Sequence, residues 1–423
     1  MKAAEPVTRG TGTSAAIERC QVCADPNLEP VLFLGYLPPV NTMPRVGQRP
    51  QEQPSYPAQL LRCPTCRLIQ LGLIVDPAVL FPPDYPYTSG TTRILRDNFA
   101  ELSRELRAIA PLSRGDLVLD IGSNDGTLLS NFASEARVLG IEPADVGRLA
   151  VERGIPTVQT FFTREVAEAV RGEHGAARVV TAANVFAHIE QIHDVVEGIT
   201  TLLDDEGIFV SESHYAPSLI ETLQYDTIYH EHLRYYALDS LQYLLRMHGF
   251  TIFHAKRIPT HGGSIRVYAA RSDRYAIRES VAQLLGQEQR AALSPQRLAE
   301  FHRRVVESKL ALQALLLDVK RRGDRVAGIG APSRASTLIN YVGLDDGIVE
   351  YVCEVPGSHK IGRYMPGTLI PVVEESALYR EQPEYALLLS WHIADELMPK
   401  LAANGYRGRF IVPLPEPRII GGA

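Results

Sequence analysis

The sequence predicts an α/β protein with three domains: a small cysteine-bearing domain, a central doubly wound domain and a C-terminal α/β domain. Two Cys-x-x-Cys pairs near the start mark the small domain, and two separate apolar strands that run into glycine turns mark the larger ones. The length of 423 residues also exceeds what one hydrophobic core covers. We place the domains at residues 1–82, 83–257 and 258–423.

The composition excludes several classes of protein. The chain is 45% hydrophobic and 22% charged, as expected for a globular protein, and its net charge of −6 argues against nucleic-acid binding. No apolar run is long enough to cross a bilayer, and Met1 to Cys20 contain no apolar signal segment. We therefore expect a cytoplasmic protein without a membrane partner. The default expectation is a monomer, because the sequence shows no heptad seam or repeat.

Four of the five cysteines form the pairs Cys20-x-x-Cys23 and Cys63-x-x-Cys66. Four thiolates can close a tetrahedral zinc site, which would stabilise a segment too short to bury much core. Since four cysteine ligands leave no open coordination position, the zinc is expected to be structural. The turn-rich residues between the pairs suit a zinc ribbon. Cys353 is expected to be a buried free thiol.

Residues 117–126 have the pattern of a buried parallel strand that ends in a tight glycine turn. Gly122 and Gly126 allow the backbone to bend sharply and to approach a ligand. A second apolar strand ends at Glu142, about twenty residues after the turn, where a carboxylate can bind the hydroxyls of a ribose. The central domain is therefore expected to bind a cofactor that contains adenosine.

Two cofactor classes fit this outline. A dinucleotide would place its phosphates on bare backbone amides, whereas this turn carries acidic and amide side chains. S-adenosylmethionine has no phosphate and carries a sulfonium and an amine, so the acids favour it. An α/β domain with an empty crevice is a further alternative. The expected cofactor contacts are Asp120, Gly122, Ser123, Asn124, Gly126, Glu142, Pro143 and Asn184.

Residues 225–236 concentrate tyrosines, histidines and acids after a further predicted strand. Such a cluster next to a cofactor sheet is typical of a catalytic site. A transition-metal site that combines residues 230–232 with His188 is a less favoured alternative, because methyl transfer from a soluble donor needs no metal.

The last third of the chain contains a second strand and glycine turn, at residues 325–337. Pro332 suits the first position of a helix, and free amides beside Ser333 and Arg334 would form an anion site, to which Lys360 adds charge. This pattern suggests a Rossmann-like domain that binds the diphosphate of a substrate. A helix start without a ligand is the alternative.

Together these motifs resemble those of the three-domain, S-adenosylmethionine-dependent C-methyltransferases that act on nucleotide-linked deoxysugars in antibiotic pathways. The resemblance covers nearly the whole chain. It implies a zinc-ribbon-like N-terminal domain, a doubly wound class I methyltransferase domain and a C-terminal Rossmann-like α/β domain. The motifs that carry it, besides the cysteine pairs, are D-Y-P-Y at 84–87, D-I-G-S-N-D-G at 120–126, N-V-F-A-H at 184–188, T-I-Y-H-E-H at 227–232, H-G-G-S-I-R at 261–266 and G-A-P-S-R at 330–334.

The resemblance implies addition of a methyl group to a carbon next to the ketone of a nucleoside-diphosphate 4-keto-6-deoxysugar, with thymidine as the expected nucleoside. A base must remove a proton from that carbon, and donors must stabilise the enolate oxygen. The implied base is His232, which Glu231 or His188 would orient. The implied donors to the enolate are Tyr229 and Tyr87. Asn184 and His188 would stand between cofactor and sugar. The implied substrate contacts are Tyr85, Ser264, Arg266, Ser333, Arg334, Asn340 and Lys360.

Three alternatives for the function stay open at this point. One is a methyltransferase that acts on oxygen or nitrogen of a small molecule, for which the tyrosines would be dispensable. Another is a nucleotide-dependent oxidoreductase. The third is a zinc-stabilised binding module without enzymatic activity.

Overall fold

The computed structural model describes residues 14–81, 90, 92–271, 274–291 and 293–421. The strands are β1 (Ala15–Ala16), β2 (Glu29–Leu37), β3 (Tyr56–Arg62), β4 (Ile69–Leu71), β5 (Leu73–Ile74), β6 (Leu117–Ile121), β7 (Arg137–Ile141), β8 (Thr157–Val158), β9 (Ala177–Ala183), β10 (Leu203–His214), β11 (Arg234–Tyr235), β12 (Phe250–Ile258), β13 (Ser264–Arg271), β14 (Val326–Ile329), β15 (Val352–Glu354), β16 (Val372–Glu374), β17 (Tyr385–Leu388), β18 (Arg409–Val412) and β19 (Arg418–Ile420). The helices are α1 (Pro77–Leu80), α2 (Arg93–Ile109), α3 (Gly147–Glu152), α4 (Arg164–His174), α5 (Ile192–Leu202), α6 (Ala216–Glu221), α7 (Leu238–Met247), α8 (Glu279–Ala291), α9 (Pro295–Arg321), α10 (Ser333–Val342), α11 (Ser376–Glu381) and α12 (Ala394–Ala403).

The central sheet has seven strands in the order β12-β13-β10-β9-β6-β7-β8. All run parallel except β13, which pairs antiparallel with both of its neighbours. Every residue of β6 is buried, as its unbroken apolar pattern predicts. The strand order reverses between β6 and β9, so a ligand crevice opens at the carboxyl ends of these two strands. The predicted doubly wound α/β fold is confirmed.

Strand β13 lies on the other side of the predicted domain boundary at 257/258. The glycine pair Gly262-Gly263 precedes this strand, and in the sequence it suggests the start of a new domain. In the structure the pair lies in the turn of the β12–β13 hairpin. The central sheet therefore extends to Arg271. The division of the chain into three domains stays a prediction.

The C-terminal sheet has six strands in the order β16-β15-β14-β17-β18-β19, all parallel except β19. Its strand order reverses between β14 and β17, which gives it a crevice of its own. Cys353 lies buried in β15 with a free thiol, as expected.

The N-terminal sheet has four antiparallel strands in the order β11-β4-β3-β2. Strands β2 to β4 come from the cysteine-rich region, whereas the edge strand β11 comes from the middle of the chain. One hydrophobic core contains side chains from β2, β3, helix α9 and the C-terminal sheet. The N-terminal and C-terminal sheets are thus packed through a common interior. No helix in the described ranges has both the length and the apolar character needed to cross a membrane.

Candidate active site

The four paired cysteines converge, as predicted. Their sulfur atoms all lie within 4.8 Å of one another, with 3.4 Å between Cys20 and Cys66 and 3.3 Å between Cys23 and Cys63. Tetrahedral zinc with Zn–S bonds near 2.3 Å requires sulfur atoms about 3.8 Å apart, so the cluster fits the ion. A hydrogen bond from the Cys66 thiol lowers the pKa of Cys20 to about 5, which favours one thiolate even without metal. These residues form a structural zinc site.

The glycine turn after β6 is shaped for close approach of a ligand. Gly122 has a φ of +68°, and a Cβ at this position would lie 2.7 Å from Cγ2 of Val185. Val185 follows β9, on the opposite side of the strand-order reversal. Any side chain at position 122 would therefore strain the turn and push into the crevice. The Ser123 hydroxyl beside it is buried and has no hydrogen-bond partner in the described part of the chain.

Two buried carboxylates line the crevice at the ends of β6 and β7. Asp120 accepts a hydrogen bond of 2.6 Å from the Thr181 hydroxyl, and burial raises its pKa to about 8. Glu142, which precedes Pro143, accepts hydrogen bonds of 2.9 Å from the amides of Asn124 and Ala144. Each carboxylate oxygen has a second lone pair for a ligand hydroxyl or amine. The predicted cofactor residues therefore lie together at the ends of the strands.

We expect S-adenosylmethionine to bind with release of a proton. With a pKa of about 8, Asp120 is mostly neutral at neutral pH, and a bound cation would favour the carboxylate and lower that pKa. Cofactor affinity should therefore rise between about pH 6 and about pH 8 and level off above that. Calorimetry in buffers of different ionisation enthalpy measures the proton release. Asp120→Asn should abolish it, and an unchanged pH dependence in this variant would contradict the assignment.

Three non-glycine residues adopt left-handed backbone conformations around the crevice: Asn124 (φ 51°), Asn184 (φ 60°) and His261 (φ 55°). Such conformations cost about 1–3 kcal/mol each and concentrate at functional sites. The side-chain oxygen of Asn184 is buried and has no hydrogen-bond partner among the described residues. This oxygen can therefore accept a hydrogen bond from a ligand that lies between the glycine turn after β6 and the histidine cluster.

Five histidines cluster where the carboxyl ends of the central and C-terminal sheets meet, and of these His232 is buried while His188, His214, His261 and His392 are partly buried. Ring centroids lie 4.9 Å apart for His188 and His232, 4.7 Å for His232 and His214, and 5.6 Å for His214 and His261. Burial lowers the pKa of His188 and of His261 to about 4 and that of His392 to about 2, with the charge of Arg334 contributing at the last two. The cluster is thus a set of neutral imidazoles at cellular pH.

His232 lies at the centre of the cluster with a fixed tautomer. Its Nδ1 is 2.7 Å from the carbonyl oxygen of Thr227, which can only accept, so Nδ1 carries the proton. The other nitrogen, Nε2, is then an unprotonated acceptor. Burial lowers the pKa of His232 well below its usual value, and the ring of Tyr229 lies 4.1 Å away between centroids. Tyr229, His188 and His232 thus lie close together, and their catalytic roles stay a prediction.

The Thr227 carbonyl orients His232 through Nδ1, and the expected orienting roles of Glu231 and His188 stay predictions. One oxygen of the Glu231 carboxylate accepts a 2.7 Å hydrogen bond from Asn41 of the N-terminal part. Burial lowers the pKa of Lys360, and the carboxylates of Glu354 and Glu231 oppose this shift. Lys360 also donates to the carbonyl of Ala331. Glu231 therefore joins the N-terminal and C-terminal parts at the rim of the cluster.

Arg334 is held at the C-terminal side of the cluster. Its guanidinium donates two hydrogen bonds of 2.8 Å to Asp226, which also accepts from the Trp391 indole at 2.7 Å. The guanidinium carbon lies 4.9 Å from the Trp391 ring centroid. Ser333, the first residue of α10, precedes it. The Arg334 guanidinium is thus fixed beside His261 and His392, with its charge offset by the Asp226 carboxylate, and the anion site stays a prediction.

Other predicted substrate contacts are internal. Arg266 is opposite Glu212 in the β10–β13 pair, and its fully buried side chain forms ion pairs of 2.6 Å with Glu212 and Glu105. The Ser264 hydroxyl donates to a neighbouring carbonyl, and the Asn340 amide donates to carbonyls of its own helix and of Pro366. We therefore omit Ser264, Arg266 and Asn340 from the proposed substrate site. The predicted residues Tyr85 and Tyr87 lie outside the described ranges.

Sequence reasoning missed His214, His261 and His392 as site residues. His214 is the last residue of β10 and His392 follows β17, so both stand at carboxyl ends of parallel strands, where ligands bind. This rule, applied to every strand, would have found them. His261 has a weaker signal, its place before two glycines in a hairpin turn.

The fold and the site define a class of protein: an S-adenosylmethionine-dependent methyltransferase with a structural zinc domain. Family models match residues 20–81 as a zinc binding domain, residues 94–255 as a methyltransferase domain and residues 259–415 as a C-methyltransferase C-terminal domain. The C-methyltransferase NovU of Streptomyces niveus is 33% identical over 411 residues, which cover 96% of this chain and 97% of the relative. The chain belongs to this C-methyltransferase family.

Solved structures resemble the chain only in part. A magnesium protoporphyrin IX methyltransferase from Synechocystis is 18% identical over 42% of this chain and 79% of its own, with a TM-score of 0.32. A methyltransferase from Anabaena variabilis is 14% identical over 40% of this chain and 83% of its own, also with a TM-score of 0.32. These scores are too low to support any argument about the site.

Proposed function

We propose that the protein methylates a carbon next to the ketone of a nucleoside-diphosphate 4-keto-6-deoxysugar, with thymidine as the expected nucleoside, in an antibiotic deoxysugar pathway. The observation that carries this proposal is the tautomer of His232, whose Nδ1 proton is held by the Thr227 carbonyl, which leaves Nε2 as an acceptor. Transfer to carbon requires removal of a C–H proton, whereas transfer to oxygen or nitrogen makes no such demand. The NovU relative, a C-methyltransferase by name, also supports a carbon acceptor.

His232 acts as the base in this proposal. Its Nε2 takes the proton from the carbon beside the ketone, and the electron pair of that bond moves onto the carbonyl oxygen to form an enolate. The Tyr229 hydroxyl is a candidate to donate to this oxygen, because its ring lies against His232. S-adenosylmethionine supplies the methyl group when bound. Asn184, at the switch point of the sheet, would hold the two reactants in line.

The nucleotide end of the substrate is proposed to lie toward the C-terminal sheet. Asp226 holds the Arg334 guanidinium in place there. His261 Nε2 and His392 Nδ1 are buried and have no hydrogen-bond partner within the described ranges. A diphosphate would give both imidazoles a partner and would meet the guanidinium, which supports an anionic ligand at this place.

The proposal is tested by incubation with thymidine-diphosphate 4-keto-6-deoxyhexose in heavy water, followed by mass spectrometry. With S-adenosylmethionine, the sugar should gain one methyl group. Without the cofactor, deuterium should enter the carbon beside the ketone, because the base enolises the sugar reversibly. If S-adenosylmethionine binds but neither mass shift appears with any keto-sugar nucleotide, the acceptor is an oxygen or a nitrogen of another small molecule.

We further propose a cytoplasmic monomer. None of the five cysteines, all of which lie in the described ranges, forms a disulfide, which suits a reducing compartment. The histidine cluster and the zinc site are each complete within one chain, so the proposed reaction requires no second copy.

A further inference from the structure

The segment that carries His232 continues directly into the N-terminal sheet. Strand β11 pairs antiparallel with β4, with Arg234 opposite Gln70 and Tyr235 opposite Ile69. The amide of Leu71 donates a 2.9 Å hydrogen bond to the carbonyl of Leu233. Because β11 begins two residues after His232, the position of the proposed base depends on the position of β4.

Both cysteine pairs are close to the paired strands β4 and β11. β4 starts three residues after Cys66. Gln21, which lies between Cys20 and Cys23, donates its backbone amide to the Gln70 side chain at 2.9 Å. The Gln21 side chain reaches the Leu233 carbonyl at 3.4 Å. The zinc site is therefore linked by hydrogen bonds to the residue that follows His232.

The Arg234 side chain connects the two catalytic segments. Its guanidinium donates to the carbonyls of Ile189 and Glu190, at 2.9 Å for Glu190. These carbonyls directly follow His188. The amide of Leu233 also donates to Ala187, just before His188, at 3.0 Å. Residues 233–234 thus hold the chain on both sides of His188.

The charge of Arg234 requires a counter-charge, because the side chain is buried. No carboxylate of the described residues lies within 4.0 Å of its guanidinium. Burial lowers the pKa of Arg234, and Tyr236, the Cys20 thiolate and the Glu190 carboxylate oppose this shift. Four thiolates on one divalent zinc ion would leave two excess negative charges, and the electrostatic contribution of Cys20 indicates that these charges would favour the guanidinium.

We propose that Arg234 is a positioning residue that uses the zinc domain to hold His188 and His232 at the reacting carbon. This inference rests on the proposed role of His232 as base. Arg234 touches neither substrate nor cofactor in this assignment. It acts through the two segments that it joins, and the zinc centre keeps it in place.

The test compares Arg234→Ala with Arg67→Ala. Arg67 directly follows Cys66, but its side chain is exposed and forms an ion pair of 2.7 Å with Asp239. Its replacement should therefore leave kcat and KM unchanged. Loss of Arg234 should lower kcat about 100-fold, as expected for a misplaced catalytic group, with KM for the sugar nucleotide unchanged. Zinc content and the affinity for S-adenosylmethionine should also stay unchanged. Added guanidinium ion should restore part of kcat.

A measurement on the protein without the sugar substrate tests this inference independently of the proposed function. In ¹⁵N-histidine NMR spectra, Arg234→Ala should shift the His188 and His232 signals, whereas Arg67→Ala should leave them unchanged. Unshifted signals, an unchanged kcat, or parallel loss of zinc and cofactor binding without guanidinium rescue would overturn the inference. If Arg234→Ala does not fold, Arg234→Lys decides: a lower kcat with shifted histidine signals supports the role, and wild-type values refute it.

Discussion

Replacement of His232 by alanine is expected to lower kcat by about 10³- to 10⁴-fold, at the upper end of the usual effect of a general base. The reason is that His232 supplies the unprotonated Nε2 at the centre of the cluster, while Thr227 holds the proton on Nδ1. The affinity for S-adenosylmethionine should stay nearly unchanged, since the cofactor turn does not use His232. Steady-state kinetics and calorimetry measure the two quantities separately.

His230 provides a matched control for this experiment. It is two residues earlier and equally buried, but its Nε2 faces the Pro57 carbonyl at 3.3 Å and its ring packs against Tyr56. His230→Ala should therefore keep most of kcat and exchange deuterium into the sugar, whereas His232→Ala should do neither. Equal losses of turnover and cofactor affinity in His232→Ala would refute its assignment as the base.

Replacement of Gly122 by alanine is expected to weaken S-adenosylmethionine binding about 10- to 100-fold, or by about 1.4–2.8 kcal/mol. A left-handed backbone costs a side-chain-bearing residue about 1–2 kcal/mol, and the new Cβ would also meet the stiff, β-branched Val185 at 2.7 Å. If the backbone shifts to relieve the left-handed conformation or the contact with Val185, the glycine turn moves away from the position that the cofactor requires. Equilibrium binding measures the loss.

Two further variants separate the causes of this loss. Gly115→Ala is the control. Gly115 lies just before β6, and a Cβ at this position would have its nearest neighbour 3.9 Å away. This variant should bind the cofactor normally. The double variant Gly122→Ala with Val185→Ala removes the contact but keeps the backbone strain, so it should recover part of the affinity. Normal binding by Gly122→Ala alone would show that the turn does not contact the cofactor.

Much of the fold could be predicted because its signals are local. The strand over residues 117–121, its glycine turn and the acid at Glu142 lie within a short stretch, and their spacing follows from the geometry of a βαβ unit. The cysteine pairs are also local, and tetrahedral coordination leaves few arrangements for four thiolates. Recognition of the family rested on such motifs and is confirmed.

The rest of the site depends on contacts between distant segments, which no local pattern reveals. Arg266 looks like an anion-binding residue after a glycine turn, yet its cross-strand partner is Glu212, more than fifty residues earlier. Glu231 stands next to the proposed base in sequence, yet its carboxylate accepts a hydrogen bond from Asn41, which lies 190 residues earlier. In both cases a polar partner that is distant in sequence takes up the buried charge.

The edge strand β11 has a consequence for synthesis of the protein on the ribosome. Gln70 leaves the ribosome roughly 160 residues before its partner Arg234, a delay of about 10–30 s at typical elongation rates. During that time one edge of β4 has no strand to pair with, and zinc binding by the two cysteine pairs is the constraint available to hold the early hairpin together. Newly made chains deprived of zinc should therefore aggregate before they are complete.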